Sequence, residues 1–484
     1  MAKQTDPRLI QAMQAFASGQ TQQAEMLCRS VLAEKKRDDL AMALLAQVCN
    51  ATGKYEESMQ LIRNAIAKNN KRADYHGLLG DMLTTKGDFR NALGAYDKAL
   101  KLQPDHHGVI AGKANTWLRL NEPNKAIKLV EPFIKKGGED ITISIVYAKA
   151  LIEGGKPHDA ADVLLKHLPA KKEPIETRRT LYFVLGKAME KAGEYNGAFE
   201  AYQEGNNLSS TGFDINACVN MHDDCIKAFP VDSFASMPTS TNYDSGRVFI
   251  VGMLRSGSTL TEQIIDAHPN GKGLGELESL PRILNTAFGE DLLSSRWSSL
   301  DTAQLDELAS AYLHDAQCNT NETVLVDKQL GNYQFVGVIK KLIPNAKIIH
   351  CTRNPLSMGV SCFAQKLPPY TNAWASGLHS IGHFYNEYKR MMLHWNDCLG
   401  SAMLEVSYEE LVTNQETTTR RILDFCGLDF DPRCIEFWKT GRTVLTLSQD
   451  QVRRPMYTSS IARHEQFGEL LSPLRDALGM GQKR

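Results

Sequence analysis

Small residues recur along the first two hundred positions at a fixed interval. Gly19, Gly53, Gly87, Asn121 and Gly155 stand 34 positions apart, and Gly193 continues the series after a slip of four. Five positions after each marker come Ala24, Ser58, Ala92, Ala126, Ala160 and Ala198. Ala46, Gly80, Ala114 and Ala148 precede four markers by seven positions, and Gly186 precedes the last. A period of that length holds one helix–turn–helix unit, with small residues where the helices touch. Such a unit cannot bury its apolar face alone, so it stacks on its neighbours. About six helix pairs in a solenoid with a concave face are expected.

The third unit is the fullest, with Tyr75, Leu78, Gly80, Gly87, Ala92, Tyr96, Ala99 and Pro104. This pattern resembles the tetratricopeptide repeat, and the resemblance implies a surface that binds a protein or peptide. The charged run Glu34-Lys35-Lys36-Arg37-Asp38-Asp39 reads as a solvated turn between units. The solenoid is expected over residues 1–208. Residues 209–245 include FPVDSFASMPTSTNYDS, rich in Pro, Ser, Thr and Asn as loops are, and are expected to form a linker.

A chain of 484 residues exceeds one hydrophobic core, so a second domain over 246–484 follows. The net charge of −1 gives no basic field for nucleic acid or an anionic membrane. No apolar run is long enough to span a bilayer, and MAKQTDPRLIQAMQAF lacks a signal-peptide core. The ten cysteines form no CxxC pairs and no cluster of zinc spacing. They read as reduced thiols in a cytoplasmic chain, and no metal site is expected.

The second half opens with Val248-Phe249-Ile250-Val251, a run suited to a buried parallel strand. Gly252 starts a turn, and Gly257, Ser258 and Thr259 lead into an amphipathic helix. Strand, glycine turn and helix start together aim backbone N–H groups and a helix dipole at one point, which makes an anion site. The spacing of Gly252, Gly257 and Thr259 is that of a nucleotide P-loop, but Ser258 stands where the lysine would be, and the cation is Arg255. Further strands are expected at Thr323–Val326, Lys347–Cys351 and Met403–Val406, with a helix from Tyr333 to Ile343. Helices between strands imply a central parallel sheet. Asp327-Lys328 and Arg353 would then lie at carboxyl ends of strands, the edge where such sheets bind ligands. Arg353 favours phosphate where an ATPase would place a magnesium-binding carboxylate.

The segments GMLRSGST and CTRNPLSMGVS resemble the donor-binding segments of sulfotransferases that use 3′-phosphoadenosine-5′-phosphosulfate. The second half as a whole is similar to protein-tyrosine sulfotransferases and to bacterial sulfotransferases fused to tetratricopeptide repeats. The expected architecture is thus an all-α solenoid followed by a P-loop-like α/β sulfotransferase domain. The resemblance implies that Arg255, Ser256, Gly257, Ser258 and Thr259 hold the 5′-phosphosulfate, and that Arg353 and Ser361 hold the 3′-phosphate. Tyr408 and Arg463 would also contact the donor. Glu276 falls on the general base, Lys328 on the lysine that meets the transferring group, and Ser448 beside the sulfuryl group, with Pro455 in the same segment. The reaction implied is sulfuryl transfer to a hydroxyl of a tyrosine or a glycan, releasing adenosine 3′,5′-bisphosphate without metal. Glu278 replaces the family arginine that seats an acidic tyrosine peptide. His268 is a second candidate base, although its place before Pro269 suits a structural role. Trp374, Phe384, Tyr385 and Trp395 could line an acceptor groove, but their helical spacing suits core packing. Two alternatives keep the fold: a P-loop kinase or NTPase, and a non-enzymatic scaffold that binds a nucleotide.

Overall fold

The computed structural model describes residues 5–135, 140–168, 172–208, 212–289, 295–316, 322–439, 456 and 461–480. The chain divides into two compact units, residues 1–201 and 202–484.

The first unit is a row of antiparallel helix pairs. They are α1 (Pro7–Ala17) with α2 (Thr21–Glu34), α3 (Asp39–Ala51) with α4 (Tyr55–Lys68), and α5 (Ala73–Lys86) with α6 (Phe89–Leu102). Then come α7 (His107–Arg119) with α8 (Pro123–Lys135), α9 (Ile141–Glu153) with α10 (Pro157–Leu165), and α11 (Ile175–Ala192) with α12 (Tyr195–Asn207), whose last residues enter the second unit. Every periodic marker sits in the turn inside a pair and takes a left-handed conformation. Gly19, Gly53, Gly87, Gly155 and Gly193 have φ between 77° and 84°, and Asn121 has φ 59°. Glycine, and next asparagine, reach that region at least cost. The small residues five positions on, from Ala24 to Ala198, are all fully buried. At Gly80 a Cβ would lie 2.6 Å from the Tyr96 ring, so the contact between α5 and α6 admits no side chain. The slip of four before Gly193 coincides with the 18-residue α11, longer than the first helices of the other pairs.

The second unit is built on a five-stranded parallel sheet in the order β2-β3-β1-β4-β5. The strands are β1 (Arg247–Gly252), β2 (Gly271–Gly273), β3 (Val324–Asp327), β4 (Lys347–Thr352) and β5 (Met403–Ser407). All six residues of β1 are buried, as a central strand covered on both faces must be. One face, through Val248, Ile250, Ile349 and Val406, packs on α15 (Ser258–Asp266) and α22 (Gln415–Cys426). The other carries Phe249, whose ring lies tilted against Tyr312 of α17 (Thr302–Asp315), and His350, whose Nε2 lies 2.6 Å from Tyr388 Oη of α20 (Leu378–Leu399).

Two expectations change, and one strand is additional. The edge strand β2, Gly-Lys-Gly, carries no strand-like pattern and forms because it lies against α15. The helix expected from Tyr333 begins as a 3-10 turn over Leu330–Phe335 and becomes α18 (Val336–Leu342). The expected linker, 209–245, holds α13 (Ile215–Ala228) and the short α14 (Val231–Phe234). Cys218, His222 and Cys225 recur at helical spacing and are buried, His222 Nε2 lies 3.1 Å from Tyr333 Oη, and the Phe229 ring meets Trp395. That segment packs as part of the second unit, because its apolar face finds a partner in α20 and its neighbours.

Candidate functional site

Strand order reverses direction between β1 and β4, since β2 and β3 lie to one side of β1 and β4 and β5 to the other. At the carboxyl ends of parallel strands such a switch point leaves a crevice that no crossover covers. The loops that follow β1 and β4 flank it.

In the first loop, a Cβ on Gly252 would lie 2.7 Å from the Cys351 carbonyl oxygen, so the loop leaves the sheet in contact with β4. Arg255 has φ 70°, a left-handed conformation that costs a non-glycine residue about 1–2 kcal/mol. Strain of that kind is often kept where a side chain or backbone must be aimed. Gly257, at φ 96°, begins α15 without any side-chain cap, and a helix start of this kind attracts an anion. Ser256 is 2% exposed, and its Oγ has no hydrogen-bond partner among the described residues. Ser258 and Thr259, in the first turn of α15, are buried.

The second loop answers the first. Arg353 Nη1 donates to the Arg255 carbonyl oxygen at 2.9 Å, and Arg255 Nε donates to Ser361 Oγ at 3.0 Å. Ser361 lies on α19 (Pro355–Phe363), whose start is capped by the Asn354 side chain. The Arg353 guanidinium lies over the Tyr408 ring, 4.4 Å from its centre. Ser357 of α19 donates to the Ile461 carbonyl oxygen at 2.6 Å and lies 2.7 Å from His464 Nδ1, which brings Arg463 to the same place. Cys362, also on α19, registers the result. Burial pushes its thiol up to about 12, while Arg255, Arg353 and Arg463 all pull it down. Burial also draws the Arg353 guanidinium below its ordinary value; Tyr408 and Glu409 favour its charge and Arg463 opposes it. Three guanidinium groups gathered at one helix make a site for a multiply charged anion.

The other half of the crevice edge carries Glu276 and Lys328. Lys328 follows β3 and is fully buried, with its Nζ 2.5 Å from Glu276 Oε1, while the Glu276 side chain is 48% exposed. A buried ammonium costs several kcal/mol unless it is paired, so the two are held together strongly. Gln329 Nε2 donates to Glu278 Oε1 at 2.8 Å. His268 stands at the end of α15 with its Nδ1 accepting from the Asn270 N–H at 3.0 Å.

On the sheet face that meets α20, a cavity of about 300 Å³ reaches the first loop, lined among others by Met253, Ser256, His350, Arg353, Tyr385 and Tyr388. Trp395 is buried with its Nε1 donating to the Tyr333 carbonyl oxygen, and Trp374 stacks on Phe384. Ser448 and Pro455 lie outside the described residues. The structure thus gathers Arg255, Ser256, Gly257, Ser258, Thr259, Arg353, Ser361, Tyr408 and Arg463 around two loops, and pairs Glu276 with Lys328. Sequence reading missed Glu262, Asp266 and Asn332. Asn332 is fully buried with neither amide atom partnered among the described residues, and only its place four residues after Lys328 could have pointed to it.

Residues 247–432 match the model of the sulfotransferase family, and residues 15–82 and 73–106 match two models of the tetratricopeptide repeat. The chain joins tetratricopeptide repeats to a sulfotransferase-family domain. An uncharacterized protein of Aquifex aeolicus is 29% identical over 427 residues, which cover 85% of this chain and 55% of that one. Protein-tyrosine sulfotransferase A of Caenorhabditis elegans is 23% identical over 266 residues, 50% of this chain and 67% of the relative. Protein-tyrosine sulfotransferase 1 of Danio rerio is 25% identical over 252 residues, 47% of this chain and 68% of the relative. The chain therefore spans about half the length of the Aquifex relative. Among solved structures, the sulfotransferase domain of the Synechococcus PCC 7002 olefin synthase aligns with 47% of this chain and 95% of its own, at 19% identity and a TM-score of 0.31. Among the described residues of the tetratricopeptide-repeat and sulfotransferase regions, no helix is long and apolar enough to cross a membrane.

Proposed function

We propose that the sulfotransferase domain moves a sulfuryl group from 3′-phosphoadenosine-5′-phosphosulfate to a hydroxyl acceptor and releases adenosine 3′,5′-bisphosphate. The observation that carries this reading is the convergence of Arg255, Arg353 and Arg463 on α19, beside a loop whose buried Ser256 hydroxyl has no partner among the described residues. Two anion-binding elements side by side suit a nucleotide that is charged at both its 5′ and 3′ ends. The nucleotide, when bound, supplies an activated sulfuryl group on a phosphate leaving group.

The chain's own residues then divide the work. Backbone N–H groups of residues 257–259 and the Ser256 hydroxyl hold the 5′ end. Arg353 and Ser361 hold the 3′-phosphate, with Tyr408 supporting the Arg353 guanidinium and Arg463 adding charge. Lys328 stabilises negative charge at the transferring group, and electrostatic help of this kind is strongest in a site that excludes water. Glu276 takes the proton of the acceptor hydroxyl, a role worth about 10²–10⁴ in rate. For Ser448, outside the described residues, a role near the sulfuryl group rests on the family resemblance alone. Because Glu276 and Lys328 are in contact, an acceptor hydroxyl that reaches the carboxylate also reaches the ammonium. Catalysis is chiefly positioning and charge, as in phosphoryl transfer.

Two relatives are named for protein tyrosine, so a tyrosine hydroxyl on a peptide is the first acceptor to test. Glu276 and Glu278 are both acidic, which favours neutral or basic flanks around that tyrosine. The repeats would hold the peptide. The test is calorimetric titration with adenosine 3′,5′-bisphosphate and with ATP, each with and without magnesium, on wild type and Arg353→Ala. Binding of the bisphosphate without magnesium, weakened at least tenfold in the variant, supports the donor. Preference for ATP with magnesium overturns it.

A further inference from the structure

The segment that delivers Glu276 is held by two side chains in the later turns of α15 that the proposed chemistry does not use. Residues 271–276 read Gly-Lys-Gly-Leu-Gly-Glu, and each glycine has a separate physical reason. A Cβ on Gly271 would lie 2.1 Å from the Ile265 carbonyl oxygen, and one on Gly273 would lie 2.8 Å from Glu262 Oε1. Gly275 has φ 78°. The strand therefore lies on α15 as closely as a backbone can, and then turns sharply into Glu276.

Two carboxylates of α15, one helical turn apart and so on one face, bind this backbone. Glu262 Oε1 accepts from the Gly275 N–H at 2.8 Å, and Asp266 Oδ1 accepts from the Gly273 N–H at 2.8 Å. On the opposite side, Leu274 N–H donates to the Val326 carbonyl oxygen and Lys328 N–H donates to the Gly275 carbonyl oxygen. The Gly275 residue is thus gripped through its N–H by Glu262 and through its carbonyl by the backbone of Lys328. Glu262 is 2% exposed, in a helix position where an apolar side chain would pack at lower cost. The Gly275 amide is one partner that favours a carboxylate there, since hydrogen bonds to charged groups are the strong ones.

We propose that Glu262, assisted by Asp266, is a positioning residue that fixes the turn carrying Glu276 against Lys328. The same helix starts at the anion loop, so α15 sets the distance between the donor cradle and the base. This inference rests on the assignment of Glu276 as the base, but its structural half stands apart from it.

The experiment compares wild type, Glu262→Gln and Glu262→Leu in two readouts. The first is hydrogen exchange of peptides covering 271–278, with peptides of β1 and β4 as internal controls. The second is turnover of 3′-phosphoadenosine-5′-phosphosulfate with a tyrosine peptide, alongside calorimetric binding of adenosine 3′,5′-bisphosphate. Glutamine keeps an acceptor oxygen and should keep both protection and kcat within a few-fold. Leucine should expose 271–278 alone and lower kcat about 10–100-fold, the scale of a displaced catalytic group, with bisphosphate affinity within about twofold of wild type. Unchanged exchange in Glu262→Leu overturns the proposal, and so does a loosened turn with wild-type kcat. A wild type that protects 271–278 through Glu262 yet transfers no sulfuryl group leaves the positioning of the turn standing and removes the proposed function.

Discussion

Asp327 offers a test of the site's construction that does not depend on knowing the acceptor. It ends β3 immediately before Lys328, accepts from Tyr312 Oη and from the Gln329 N–H at 3.0 Å each, and is 2% exposed. Burial raises its carboxyl from the ordinary 3.8 to about 6, against the pull of the Gln329 N–H and Tyr312. The folded protein therefore holds this proton where the unfolded chain has released it. Stability from Asp327 is complete below pH 3.8 and is lost as the pH rises through 6. At about 1.4 kcal/mol per pH unit, the interval amounts to at most about 3 kcal/mol. Asp327→Asn keeps the shape and can still accept from Gln329, yet it has no charge to bury. Relative to wild type, it should gain stability steadily between pH 4 and 6.5 and no further above that. Urea denaturation read by tryptophan fluorescence suits the measurement, because four of the five tryptophans lie within residues 202–484. Parallel pH profiles for the two proteins would refute the argument, and a steeper fall for the variant would mean that the carboxylate is stabilised by a charge nearby.

Other outcomes follow from the same reasoning. His350 has the opposite sign: burial lowers its imidazole to about 4, so its stability is present above pH 6.5 and lost as the pH falls towards 4, and His350→Gln should soften acid denaturation by up to about 3 kcal/mol over that range in the same urea series. Gly257→Ala forces a side chain at φ 96° to within 2.8 Å of the Tyr408 ring, which supports Arg353. It should cost about 1–3 kcal/mol in thermal unfolding and weaken adenosine 3′,5′-bisphosphate binding at least tenfold in calorimetry. In the repeats, Gly87→Ala should destabilise by about 1 kcal/mol and Asn121→Gly should be neutral or stabilising, as read by thermal melts. A Gly87→Ala protein as stable as wild type, or a clearly destabilised Asn121→Gly, would contradict the assignment of both as left-handed.

The periodic markers at Gly19 through Gly193 were legible in sequence because a left-handed turn admits so few residue types, and because the fully buried positions five residues on admit only Ala or Ser. The anion loop was legible for a similar reason: a side chain at Gly252 would clash with the Cys351 carbonyl and one at Gly257 with the Tyr408 ring, so composition there is dictated by close approach. Local sterics of this kind write themselves into the chain. The grouping of Arg255, Arg353 and Arg463 could be suspected only by resemblance, since 208 positions separate the first from the last, and it takes the Ser357 contacts with residues 461 and 464 to bring the third arginine in. Three features needed the tertiary structure altogether. The helix at Ile215–Ala228 sits where composition suggested a linker, because its short apolar face is sufficient once α20 is there to cover it. Gly-Lys-Gly becomes a strand only because α15 and β3 supply partners for its backbone. Glu262 reads as one more polar residue on an amphipathic helix until that strand is laid against it, and what it does is decided by an amide 13 positions away. Sequence by itself determines conformations that a few adjacent atoms enforce; contacts between distant segments depend on what the rest of the fold places opposite them.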